Sequence, residues 1–174
     1  MKKLSDILEF IDYKNILGRT DKEIKNVCYD SRKCSKGSLF TAIRGYSTDG
    51  HDFIPGALEK GADIIVCEMF DYDPALTERA TVVIVENSRK ALANLSHALY
   101  DFPSKKLKII RVTGTNGKTT VTYLIKDILQ KAGKKTGLIG TTGIISGDDF
   151  VPATHTTPES LELCRIFHKM IEES

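Results

Sequence analysis

Apolar positions in the first hundred residues follow two different periods, and the switches between them mark the elements. Leu4, Ile7, Leu8 and Ile11 recur at helical spacing, which predicts a short amphipathic opening helix. "IKNVCY" (24–29) alternates as a strand does and runs into the polar turn "DSRKCSKGS" (30–38). "LFTAI" (39–43) predicts a second short strand, and "RGYSTDGHD" (44–52) a long loop. "FIPGALEKG" (53–61) has helical character, with Gly61 as its stop. "DIIVCE" (63–68) and "TVVIVE" (81–86) are unbroken β-branched runs, the kind of strand that is buried on both faces of a sheet.

From Ser88 to Tyr100, Leu92, Leu95 and Leu99 recur at i, i+3 and i+7, predicting a helix that "DFPSKK" (101–106) ends and turns into a linker. A domain boundary near Pro103 then divides the chain into residues 1–102 and 103–174. Beyond it, "LKIIRV" (107–112) reads as a buried strand, "TGTNGK" (113–118) as a loop and "TTVTYLIKDILQKAG" (119–133) as a helix stopped by Gly133. "KTGLIGTTG" (135–143) predicts a second strand, completing one βαβ unit. "TPESLELCRIFHKMIEE" (157–173) adds a closing helix with Leu161, Cys164, Phe167 and Ile171 on one face. The class is therefore α/β.

Composition narrows the partners. With 25 Lys and Arg against 23 Asp and Glu, the net charge of +2 gives no electrostatic reason to expect nucleic acid or an anionic membrane. The four cysteines, Cys28, Cys34, Cys67 and Cys164, form no CxxC pair and no metal-ligand spacing, so they read as reduced thiols of a cytoplasmic protein. Asp6 and Glu9 interrupt the apolar run a signal peptide needs, and no stretch approaches the roughly 20 apolar residues of a membrane helix.

The candidate chemistry sits in "VTGTNGKTT" (112–120). A loop between a buried strand and a helix N-terminus offers unpaired N–H groups and the positive end of the helix dipole, the environment a phosphate needs. Gly114 and Gly117 let the backbone approach the phosphate, Lys118 adds a mobile charge, and the Thr119 hydroxyl is placed for a phosphate-bound Mg²⁺. The usual loop has Gly, four residues, Gly and Lys, but the position that should hold the first glycine is Val112. A GTPase or small-molecule kinase would need a carboxylate at the end of another buried strand, and no such run occurs between Thr120 and Ser174.

"TGTNGKTT" (113–120) resembles the ATP loop of the Mur ligase family, in which the tighter glycine spacing is a signature. "DSRKCSKGSLFTAIRGYSTDGHDFIPGALEKGAD" (30–63) is similar to the N-terminal domain of the same family, which binds the UDP-sugar peptide. "GTNGKTT" followed by "TTPES" (156–160) most resembles the members that add a diamino acid, lysine or diaminopimelate, to UDP-MurNAc-L-Ala-D-Glu. The D-Ala-D-Ala-adding members share the DSR and DGHDF elements but usually carry Ser where this chain has Thr115. One departure is His155, where family members often have Asn.

The resemblance implies ATP contacts from Gly114, Thr115, Asn116, Gly117, Lys118, Thr119 and Thr120, with Thr119 on the metal. It implies substrate contacts from Ser31, Thr156 and Thr157, with the "GYSTDGHD" loop as a further contact on the nucleotide side. On their own residues, "DSR" reads as a solvated turn, His51 as an ordinary loop histidine, and Thr156 and Thr157 as helix-capping residues before Pro158. The family activity is amide formation through an acyl phosphate, with ATP and Mg²⁺, in peptidoglycan precursor synthesis. Family members are longer and have three domains, so these 174 residues read as an N-terminal portion that would be inactive alone. The competing reading is a UDP-sugar-binding module without catalysis.

Overall fold

The computed structural model describes residues 2–45, 48–68, 79–147, 149–152 and 158–173. The chain divides into two compact units, Met1–Asp101 and Phe102–Ser174.

In the first unit, β1 (Lys2–Lys3) leads into α1 (Leu4–Leu8), followed by β2 (Tyr13–Leu17), β3 (Glu23–Ile24) and β4 (Asn26–Cys28). Next come β5 (Ser38–Thr41), α2 (Ile54–Glu59), β6 (Ala62–Cys67), β7 (Thr81–Val85) and α3 (Ser88–Leu99). The main sheet has the order β2-β7-β6-β5-β4. The strands from β4 to β7 run parallel, and β2 closes the β7 edge antiparallel. The predicted strand over 24–29 is split in the structure. Glu23 and Ile24 pair with β1 in a small separate ladder, and only Asn26–Cys28 joins the main sheet.

The β-branched runs behave as their composition dictates. Leu39 and Phe40 in β5 and Ile64, Ile65, Val66 and Cys67 in β6 have no exposed surface. Phe40, Ile65, Cys67 and Val82 form one core with Ile54 and Ala57 of α2. The alternate residues Leu39, Ile64, Val66 and Val83 point to the other face, where α3 packs on β5 and β6. Helix α3 starts at Asn87, whose Oδ1 accepts a hydrogen bond from the Lys90 N–H at 2.8 Å. Strand β2 has no counterpart in the apolar pattern. Tyr13, Lys14 and Asn15 are exposed on this edge strand, so the alternation of a half-buried strand is missing.

The second unit contains α4 (Pro103–Lys106), α5 (Lys118–Lys131), β8 (Gly137–Gly140), β9 (Gly143–Ser146), β10 (Asp149–Pro152) and α6 (Ser160–Glu172). Three corrections follow. The supposed linker at 101–106 contains a one-turn helix that packs against α6. The stretch 135–143 is not one strand, because the chain turns at Thr141 and Thr142 and returns as β9, with β10 extending the antiparallel sheet. The segment 107–112 is no strand at all. Ile109 and Ile110 are 52% and 53% exposed, and no described strand pairs with them. Apolar composition makes a strand only where a neighbouring ladder satisfies its backbone, so the predicted βαβ unit is not closed among the described residues.

Helix α5 ends as predicted. Gly133 has φ +74°, the Lys134 N–H reaches the Leu129 carbonyl, and the Gly133 N–H reaches that of Gln130. In α6, Leu161 and Cys164 are buried, as the apolar face required.

Phe40 is the largest fully buried side chain of the first unit. Phe40→Ala should destabilise it by about 3–5 kcal/mol through lost burial and the cavity left behind. Urea unfolding followed by circular dichroism measures this, and a loss under about 1 kcal/mol would contradict the packing described.

Candidate functional site

Parallel strands deliver their C-terminal ends, and the loops that follow, to one edge of a sheet. Ligands of open α/β sheets bind on that edge. Here it gathers the turn after β4 (Asp30–Cys34), the loop after β5 (Ala42–Gly50), Glu68 after β6 and Ser88 after β7.

The turn after β4 is built by Asp30. Its Oδ1 accepts from the Arg32 N–H at 3.0 Å and from Arg32 Nε at 2.9 Å, while its Oδ2 accepts from the guanidinium at 2.9 Å. Ser31 begins the single 3₁₀ turn so formed and is half-buried. Arg32 is bonded to Asp30 in this way while its side chain stays 84% exposed. The hydrogen bonds from Arg32 hold the Asp30 carboxyl below the ordinary carboxylate range.

His51 is more than a loop residue. Its Nδ1 lies 2.5 Å from Asp49 Oδ1, and its Nε2 accepts the Glu68 N–H at 3.0 Å. A ring nitrogen that accepts from a backbone N–H carries no proton, so the other nitrogen donates to Asp49. Glu68 continues the chain of contacts by accepting the Ser88 N–H at 3.0 Å, and Arg44 lies 3.5 Å from Glu68 and 3.4 Å from Asp49. The hydrogen bonds from His51, backbone first, hold Asp49 below its usual range. This network ties the loop after β5 to the ends of β6 and α3. Sequence reasoning missed it, although Asp two residues before His is a turn signature, because the partner Glu68 is distant in sequence. Gly50 is required here, since a Cβ would lie 2.6 Å from the Ile43 backbone. Tyr46 and Ser47 of the "GYSTDGHD" loop lie outside the described residues.

In the second unit, "GTNGK" forms the exposed loop that opens α5. Gly117 caps the helix at φ +76° with no side-chain cap, and Gly114 has φ +152°. Both values are costly for a residue with a Cβ. Lys118 curls over its own loop, donating to the Gly114 carbonyl at 2.5 Å and the Thr115 carbonyl at 3.1 Å. Thr119 Oγ1 is 3.4 Å from Thr141 Oγ1, and Tyr123 Oη is 3.1 Å from Thr142 Oγ1, so the helix start faces the β8–β9 turn. The sequence did not single out Thr141 and Thr142. Thr115, Asn116, Lys118, Thr119 and Thr120 are all exposed. A phosphate-bound cation would find one hydroxyl here, that of the exposed Thr119, which fits a metal held mainly by phosphate oxygens. No group of three His, Cys, Asp or Glu that could hold a metal occurs among the described residues. Thr156, Thr157 and His155 lie outside the described residues.

Two family profiles match this chain. One, described as the Mur ligase family, catalytic domain, covers residues 23–100, and the Mur ligase middle domain covers 112–174. The chain belongs to the Mur ligase family. Among curated proteins, it is 48% identical over 171 residues to UDP-N-acetylmuramoyl-L-alanyl-D-glutamate--2,6-diaminopimelate ligase 1 of Clostridium acetobutylicum, covering 98% of this chain and 35% of that protein. A diaminopimelate ligase of the same kind from Bacillus velezensis is 47% identical over 154 residues, covering 88% of this chain and 30% of its own length. The chain thus spans about a third of the curated relatives it matches. Among solved structures, MurF from Acinetobacter baumannii superposes with a TM-score of 0.59 at 20% identity, covering 97% of this chain and 33% of that one. MurF ligase from Thermotoga maritima in complex with ADP gives a TM-score of 0.52 at 24% identity, covering 84% and 29%. At those identities the structural likeness establishes the fold.

The ionised Asp30 carboxylate supports the fold above its unfolded pKa near ~3.9, and that support is lost as pH falls through its lower folded value. Asp30→Asn removes it at every pH. The stability gap between the two proteins should therefore narrow as pH drops from about 6 to about 3. A gap in thermal midpoint that is constant across that range would show that Asp30 acts without its charge.

Proposed function

We propose that this chain supplies the UDP-sugar-peptide domain and the ATP loop of a ligase joining diaminopimelate to UDP-MurNAc-L-Ala-D-Glu during peptidoglycan precursor synthesis. The observation that carries the reading is the exposed "GTNGKTT" loop, left-handed at Gly117, at the start of α5. The names of relatives at 48% and 47% identity support diaminopimelate as the incoming amino acid. The soluble nucleotide substrates support a cytoplasmic location, in keeping with the absence, among the described residues, of a helix long and apolar enough to cross a membrane.

A carboxylate resists attack by an amine because its leaving group would be oxide. Transfer of the terminal phosphoryl of ATP to the D-Glu side-chain carboxylate gives an acyl phosphate, and the amine then displaces phosphate to form the amide. Catalysis of such a transfer rests on positioning and on offsetting the charge of the phosphoryl group. The N–H groups at the start of α5 bind the phosphates, which the loop admits because Gly114 and Gly117 have no Cβ. Lys118 leaves the Gly114 and Thr115 carbonyls and places its ammonium on the transferring oxygens. Thr119 would hold Mg²⁺ through Oγ1, and the ion supplies charge neutralisation to the phosphates when bound. Ser31, in the turn after the C-terminal end of β4, takes a hydrogen bond role toward the uridine diphosphate, and the His51–Glu68 strut holds the neighbouring loop. Thr156 and Thr157 complete the substrate contacts by family likeness.

In the ligase that carries this chain, Lys118→Ala should depress turnover at saturating ATP by orders of magnitude, since it removes a charge used in the transition state. Near-normal turnover would remove Lys118 from the mechanism. Ser31→Ala should raise the KM for the UDP-peptide by roughly 2- to 150-fold, the range of one hydrogen bond worth about 0.5 to 3 kcal/mol, and leave the KM for ATP unchanged. Equal changes for both substrates, or none, would reduce Ser31 to a turn residue.

A further inference from the structure

The turn that presents Ser31 is bracketed by two cysteines, at its entry and its exit. Cys28 ends β4 and Cys34 follows the 3₁₀ turn, six positions later. Their sulfurs lie 2.9 Å apart, although both thiols are free. Each sulfur also has a carbonyl within reach, that of Leu39 for Cys28 at 3.6 Å and that of Asp30 for Cys34 at 4.0 Å. A disulfide holds its sulfurs about 2.05 Å apart. Less than one ångström of closure therefore separates the dithiol from the bonded form. Cys67 and Cys164 have no such neighbour among the described cysteines.

We propose that Cys28 and Cys34 are a reversible modification site, a dithiol that a hydroperoxide oxidises to an intrachain disulfide across the Ser31 turn. Cys34 is the attacking residue. It is 8% exposed against 3% for Cys28, and the two sulfurs are in direct contact. The neighbouring Cys28 side chain, with the Lys60 ammonium nearby, holds the Cys34 thiol below its ordinary value, while Cys28 is pushed up. The thiolate, not the thiol, is the reactive species. With so little surface exposed at Cys34, the oxidant is a small one such as hydrogen peroxide.

The steps balance. The Cys34 thiolate attacks one peroxide oxygen, the O–O bond breaks, and with one proton taken up the products are a sulfenic acid and water. The Cys28 sulfur then attacks the Cys34 sulfur, the S–O bond breaks, and hydroxide leaves as water with the Cys28 proton. Two thiols and one hydrogen peroxide give one disulfide and two waters, and an external thiol restores the dithiol by exchange. The bond pins both ends of the turn at the nucleotide edge of the sheet.

The test is exposure of the folded chain to hydrogen peroxide, followed by thiol counting and peptide mapping. Two of the four thiols should disappear, the mapped bond should join Cys28 to Cys34, and dithiothreitol should restore both. Cys67 and Cys164 should stay reduced at least tenfold longer, because burial pushes their thiols up to about 12 and about 11. In Cys28→Ser, which has no resolving thiol, the same exposure should carry Cys34 to sulfinic acid. Survival of all four thiols, oxidation of Cys34 without a cross-link in the unaltered chain, or a bridge between two chains would each overturn the proposal. A further arm rests on the nucleotide reading of Ser31: saturating UDP should slow disulfide formation by covering the turn. If the bond forms at the same rate with and without UDP, the dithiol site stands and the Ser31 reading falls.

Discussion

Two-sided burial of β5 and β6 is the constraint on which the first unit depends. Strands without exposed surface on either face cannot lie at a sheet edge or face water, so they need parallel neighbours and a helix on each side. Helices α2 and α3 provide that cover, α2 as the crossover from β5 to β6 and α3 by packing back on the sheet after β7. The parallel order of β4 to β7 sends every following loop to one edge. The convergence of the Asp30 turn, the His51 loop, Glu68 and Ser88 is thus a consequence of core burial rather than a separate design.

Polar groups at that edge are held by one another. Arg32 is bound to Asp30, and His51 spans from Asp49 to the Glu68 backbone. Such cross-bracing holds irregular loops without burying much apolar surface. The apposition of Cys28 and Cys34 comes from the same turn, because closing it in so few residues brings its two ends together.

The second unit works from a different local principle. Its loop involves little packing, only an exposed helix start at which Gly117 makes no side-chain cap. Gly117 supplies the left-handed entry, and the helix dipole favours an anion there. Lys118 is hydrogen-bonded to the Gly114 and Thr115 carbonyls of its own loop.

Some of this was determined by the sequence alone. The β-branched runs that became β6 and β7, the leucine spacing of α3, the Gly61 and Gly133 stops and the glycine loop before α5 were all legible, because each depends on local propensity or on a short motif. The family likeness carried in "TGTNGKTT" and "DSR" was legible for the same reason. Tertiary structure decided the rest. Tyr13–Leu17 became a strand because β7 offered an open edge, while the apolar 107–112 pairs with no described strand. Turning at Thr141 and Thr142 split one predicted strand into a hairpin and set Thr141 beside Thr119. The His51–Glu68 bond joins residues 17 positions apart, and the two neighbouring sulfurs are set by the closure of a turn. A periodic pattern reports which face of an element is apolar. Which other element meets that face, and which polar groups are thereby brought within bonding distance, is fixed only when the chain closes on itself.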